Sequence, residues 1–336
     1  MYNIVMNNRI FLGTSFSPEQ AESIGCNKPI QLLKIILKDL GIKEIRLGLR
    51  WNQIDHGDKK ISIVYYKPYL NYLIQNDCPI CLNIGPIKTF RWPEEHLPEY
   101  LQKYASKKID VKSELSQRAY DYLHQLLDQL SKEYPYKLQN ITFQLDNEAF
   151  NKFGQFKMEI SENHVLKTIE ILHNHFPQAK LMLNSAGRMD LNQIVKIFQQ
   201  LIKIQLYKPQ YLTAGFNYYF KIPQTLPFFK ILNPLKISYP FNMTISSFQK
   251  NQQKIGFELE VSEGQFEPWG IQTSPGNSFP DFEYMIQKST EIFPINYPHK
   301  LIRLWGTELF AWKFLNKTDT EEHQKILEEI RKINRN

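Results

Sequence analysis

Along this chain apolar and polar positions alternate in two periods, and the two periods take turns. In "ITFQL", Ile141, Phe143 and Leu145 alternate with Thr142 and Gln144, the period of two that gives a strand one apolar face. Runs of this kind predict eight strands, near Ile10–Phe16, Glu44–Leu49, Pro79–Ile84, Ile141–Leu145, Lys180–Asn184, Leu212–Tyr218, Ile255–Val261 and Leu301–Leu304. Between them lie "IQLLKIILKDLG", "YLNYLIQND", "AYDYLHQLLDQLSKEY", "NHVLKTIEILHNHF", "LNQIVKIFQQLIKI" and "FEYMIQKSTEIF", and "EEHQKILEEIRKI" closes the chain. Most place apolar residues at i, i+3, i+4 and i+7, the stripe of a helix with one buried face. Strands alternating with helices in this way over 336 residues predict a (β/α)8 TIM barrel, and with no internal repeat or linker the whole chain, 1–336, reads as a single domain.

Composition narrows the function classes. Hydrophobic residues make up 42% and aromatics 13%, which excludes a disordered chain. The net charge of +7 is spread over scattered lysines with no block of five like charges, so no nucleic-acid footprint is expected. "MYNIVMNNRIFLG" has no basic region followed by an apolar run, and three cysteines, an odd number, fit a reducing compartment, so the expected location is cytoplasmic. "CPIC" imitates a redox motif, but it continues as a strand, on which Cys78 and Cys81 face opposite sides. The segment Phe220–Phe241 is apolar, yet its four prolines and interspersed lysines argue against a membrane helix; a lid, a membrane-surface patch or a loop packed on the barrel rim remain open.

Chemistry in such a barrel sits where strands end and the following loops begin. The fourth predicted strand runs straight into Asn147-Glu148, and the seventh leads to Glu263 in "VSEGQFEPWG". A lone Asn-Glu at a wet strand end is most simply a solvated loop; a second carboxylate at a matching strand end changes that reading. Glu258 and Glu260 are expected on the face opposite Phe257, Leu259, Val261 and Glu263, which leaves Glu260 as an alternative to Glu263. No H-E-x-x-H or comparable spacing implies a metal, and His173 and His175 are expected at a helix end.

In "DNEAF" and "SEGQFEPW" the chain resembles the clan A glycoside hydrolases, retaining β-glycosidases built on this barrel. More narrowly, it resembles a group of bacterial cellulase-like glycosidases in five segments: "RLGLRWNQID", "RWPEEHLP", "LDNEAF", "SEGQFEPWG" and "RLWGTELFAW". The resemblance implies an oligosaccharide or glycoside substrate, no cofactor, Glu148 as acid/base, Glu263 as nucleophile, and Asn147 on the sugar 2-hydroxyl. It also implies Arg46 beside the nucleophile, Tyr219 rather than Tyr218 as a phenol donating to it, and Trp305 as a sugar platform. Arg46 could equally be a barrel-interior ion pair and Trp305 a core residue. Trp92 and Trp269 are candidate subsite walls, while Glu267 and Gln265 could meet sugar hydroxyls or be rim surface. Ala149 departs from the proline that many relatives carry after Asn-Glu. Two other readings stay open: a carbohydrate-binding barrel without turnover, and a metal-dependent sugar isomerase, which would need strand-end histidines that are scarce here.

Overall fold

The structure, a computed structural model, describes residues 9–57, 60–91, 93–135, 137–138, 141–152, 154–185, 188–219, 221–225, 232–236, 242–267, 281–318 and 321–335. Eight strands form a closed barrel: β1 (Arg9–Phe16), β2 (Glu44–Gly48), β3 (Ile80–Gly85), β4 (Thr142–Leu145), β5 (Lys180–Ser185), β6 (Leu212–Tyr218), β7 (Glu258–Gln265) and β8 (His299–Trp305). Each neighbours its predecessor, and β1 closes on β8. Within this order the chain divides into two compact units, residues 44–216 with 251–259, and residues 1–43, 217–250 and 260–336.

In the first unit β2 to β6 pair in parallel, with Gly48 opposite Asn83 and Asn83 opposite Gln144. All six residues of β3 are buried, as expected of a strand covered on both faces. The helices Glu114–Glu133 and Glu162–His175 start at Ser113 and Ser161, whose side chains accept the N–H groups of Ser116 and His164. Leu123, Leu126, Leu127 and Leu130 are fully buried on the first of these, at about 1.5–3 kcal/mol each. A charge at Leu127 would remove such a term and strand itself in the core.

In the second unit β1 and β8 pair over seven residues, from Arg9 opposite His299 to Ser15 opposite Trp305. The helix Pro29–Lys38 buries Leu32, Leu33 and Ile36, and all seven helices expected from periodicity are present. Besides the short helices Pro18–Ser23 and Trp51–Ile54, two longer ones among the described residues lack that stripe. Thr307–Leu315 buries its first five residues, from Thr307 to Ala311, so it lacks a polar face. Asn242–Ile255 is mostly polar and ends where a strand was expected. Gly256, at φ +89° with its N–H on Gln252 O, closes that helix in a left-handed turn, so β7 begins at Glu258.

Within Phe220–Phe241 the described residues form an antiparallel ribbon of Lys221–Thr225 with Leu232–Lys236, and the rest of the segment lies outside the described residues. Among the described residues no helix is long and apolar enough to cross a membrane.

Candidate active site

The end of β4 is held by side chains from three strands and one loop. Arg46 of β2 donates from Nε to Gln144 Oε1 and from Nη2 to Asn147 Oδ1, both at 2.6 Å, and its guanidinium lies 4.2 Å over the Phe90 ring. Gln144 passes its amide to Asn147 Oδ1 (3.2 Å) and Asn184 Oδ1 (2.8 Å). Asn184, at the end of β5, donates to Asn147 Oδ1 at 2.7 Å and accepts the Glu148 N–H at 2.8 Å. Three donors thus converge on Asn147 Oδ1, while Asn147 Nδ2 is buried with no hydrogen-bond partner among the described residues. A buried amide left open in this way is a ready donor for a ligand hydroxyl.

Glu148 stands in the left-handed region at φ +50°, two residues after Asp146 at φ +40°. Such conformations persist only where the surroundings over-determine them. Here Asp146 Oδ1 accepts the N–H groups of Ile87 and Lys88 at 2.8 Å each, Asp146 N–H reaches Gly85 O, and Asn147 N–H reaches Lys88 O. Asn151 Nδ2 donates to Glu148 Oε2 at 3.2 Å, and its carbonyl takes Lys88 Nζ at 2.5 Å. Lys88 is fully buried, and burial pushes its pKa down against the opposing pull of Glu94, Glu95, Glu148 and Asp146. Glu95 is buried too, bonding the N–H groups of Phe156 and Met158.

The second cluster is built on β7 and β8. Glu260 and Glu258 are both accounted for. Glu260 is paired with Arg303 of β8, 3% and 1% exposed, and Glu258 meets Lys180 with both oxygens at 3.2 Å near the strand starts. Glu263 lies on the same side as Glu260, not on the apolar side where strict alternation predicts it. The register explains why. Val261 is opposite Ile302 and Gly264 opposite Leu304, so Ser262 and Glu263 together face Arg303 in a β-bulge. Gly264 then resumes the helix-facing side, where an added Cβ would meet Met285 Sδ at 2.9 Å. The bulge frees the Glu263 carboxylate to accept a hydrogen bond from the Tyr219 hydroxyl, and Ser262 Oγ donates to Asn217 Oδ1.

Trp305 meets Tyr219 edge-on at 5.7 Å and is 7% exposed, so its ring is largely covered. Its carbonyl accepts the N–H groups of Phe266 and Glu267 at 3.1 Å, and the buried Glu267 side chain packs on Gly306 rather than on the rim surface. Trp92 and Trp269 lie outside the described residues. Gln144, Asn184, Asp146 and Lys88 were not singled out in the sequence. The available signal was polarity inside or just past otherwise apolar strands, as in "FQLD" and "LMLN".

No family model and no curated protein sequence matches the chain. Solved structures are similar in fold. A GH10 endoxylanase from a sugarcane soil metagenome superimposes with a TM-score of 0.56 at 15% identity, over 88% of this chain and 86% of its own. An intracellular xylanase from Thermoanaerobacterium saccharolyticum, solved with xylotriose, gives 0.54 at 11% identity over 90% and 87%. The catalytic domain of a β-amylase from Paenibacillus polymyxa gives 0.53 at 12% identity over 87% and 92%.

Proposed function

We propose that this chain is a retaining glycoside hydrolase that cleaves a β-linked saccharide, with Glu148 as acid/base and Glu263 as nucleophile. The observation that carries the reading is Asn147, whose acceptor oxygen is saturated and whose amide N–H groups remain open beside Glu148. A contact from that amide to the sugar 2-hydroxyl strengthens as the oxocarbenium-like transition state forms. Support also comes from Glu263, a carboxylate turned out of the strand's apolar face by a bulge and held by Tyr219. The fold likeness to a xylanase solved with xylotriose agrees with a saccharide substrate.

In the first step Glu148 protonates the departing glycosidic oxygen while Glu263 attacks the anomeric carbon, giving a glycosyl-enzyme and the free leaving alcohol. Glu148, now ionised, takes a proton from water, which displaces Glu263 and releases the sugar. The Tyr219 hydroxyl orients the attacking carboxylate. No cofactor enters either step.

Single replacements separate the two roles. Glu263→Ala should abolish turnover of every substrate. Glu148→Ala should slow glycosides with poor leaving groups by about 10²–10⁴-fold but activated aryl-glycosides far less, and azide should restore it with retained configuration. Equal losses of Glu148→Ala on both substrate types, without rescue by azide, would overturn the assignment.

A further inference from the structure

Behind the Glu148 turn lies a buried pair that the reaction does not use directly. Asp146 is 1% exposed and His164, on the helix Glu162–His175, is fully buried. Asp146 Oδ2 and His164 Nε2 face each other at 3.9 Å, longer than a hydrogen bond, and neither has a hydrogen-bond partner among the described residues. Everything else on both side chains is committed. Asp146 Oδ1 holds the N–H groups of Ile87 and Lys88. His164 Nδ1 lies 2.8 Å from Ser116 Oγ and 3.2 Å from the Tyr120 hydroxyl.

The hydrogen-bond bookkeeping assigns the imidazole tautomer. Ser116 Oγ spends its one proton on Asp110 O at 2.6 Å and also accepts from Ser113 Oγ. Its remaining lone pair can only accept, so His164 Nδ1 carries the hydrogen between them. His164 Nε2 then presents a bare lone pair to Asp146 Oδ2. Two acceptors facing each other in a buried site repel unless one of them carries a proton.

We propose that Asp146 and His164 hold one buried proton as a pair, carried on the Asp146 carboxyl that faces His164 Nε2, and that the neutral pair keeps the Asp146-Asn147-Glu148 turn in place, making the two side chains positioning residues for the acid/base. The role in catalysis rests on Glu148 being that acid/base; the buried proton does not. Burial pushes Asp146 up to about 6 and His164 down to about 3, so the proton resides on the carboxyl and the imidazole stays neutral. The charged and titratable groups around the pair are few. Lys88 faces Asp146 from the loop after β3 and favours its ionised form, Asp110 faces His164 from ahead of the helix Glu114–Glu133, Tyr120 belongs to that helix, and Glu148 is on the same turn. The proton is released as pH rises through the upper value. The Asp146 carboxylate then faces the His164 Nε2 lone pair unprotonated, the two repel, and Glu148 loses its aim.

The protonated carboxyl has a close mimic in an amide. Asn at position 146 keeps a carbonyl oxygen for the two backbone N–H groups and offers a permanent N–H to His164 Nε2. Asp146→Ala should lower kcat on aryl-glycosides by about 10²-fold with little change in KM, and Asp146→Asn should recover most of that loss and flatten the fall in kcat above pH 6. An Asn variant as poor as the Ala variant would mean that the ionised carboxylate is what matters, and would overturn the proposal. The second readout needs no activity. Nitrogen-15 NMR of the imidazoles in the wild-type protein should show His164 neutral, with hydrogen on Nδ1, from pH 4 to 6. A His164 that titrates near 6.5, or carries its hydrogen on Nε2, would overturn the neutral pair whether or not the chain cleaves glycosides.

Discussion

A buried ionisable residue betrays its partner through the pH dependence of stability, and Asp146 and His164 give opposite signs. Folding raises the Asp146 value from 3.8 to about 6, a contribution present below 3.8 and lost as pH rises to about 6. Folding lowers the His164 value from 6.5 to about 3, a contribution present above 6.5 and lost as pH falls towards 3. Between these limits the folded pair holds one proton on Asp146 and the unfolded chain holds one on His164. The two dependences therefore nearly cancel in the wild type. Removing one partner uncovers the other: relative to wild type, His164→Leu should lose stability as pH rises from 4 to 6, and Asp146→Asn should gain it. Urea midpoints at several pH values check both slopes. Parallel curves for all three proteins would show that the two groups do not titrate as a pair. At this scale the sequence was partly legible. Asn147 and Glu148 stand out at a strand end, whereas His164 looks like any polar residue at a helix start, because its partner comes from another element.

Elements aim these residues by departing from regularity. The bulge in β7 turns Glu263 away from the helices, and Gly306 does comparable work after β8. Gly306 sits at φ +102° ahead of the helix Thr307–Leu315, and an added Cβ would lie 2.3 Å from Glu267 Cγ and 2.5 Å from Glu267 Cβ. Both the backbone conformation and the space demand glycine. Gly306→Ala should destabilise the fold by about 2 kcal/mol or more and lower activity by displacing Glu267 and Trp305, seen as a lower urea midpoint at unchanged m-value. A neutral Gly306→Ala would mean that Glu267 can leave its place freely. Periodicity located the strands and seven helices because each has one apolar face, but it could not anticipate the bulge. One extra residue reverses the facing of every side chain after it, and only the register with β8 reveals that residue.

For the whole molecule, the proposed double displacement makes a prediction about stereochemistry. Proton NMR of the sugar released from a β-aryl-glycoside should show the β-anomer first, with the α-anomer growing in later by mutarotation. The α-anomer appearing first would replace two displacements by one and remove Glu263 as a nucleophile. A fold shared at 11–15% identity with xylanases and a β-amylase does not choose the sugar, so a panel of aryl-glycosides must. What the sequence determined by itself was the alternation of eight strands with helices, and from it the barrel and the two strand ends where carboxylates stand. Apolar periodicity is a local property, and burial of one face per element suffices to set it. Tertiary structure alone decided which way Glu263 points, that Glu260 belongs to Arg303, and that Asp146 is matched with His164. Those facts depend on register and on side chains far apart in sequence meeting in a dry interior, where hydrogen-bond geometry decides and hydrophobic pattern carries no trace of it.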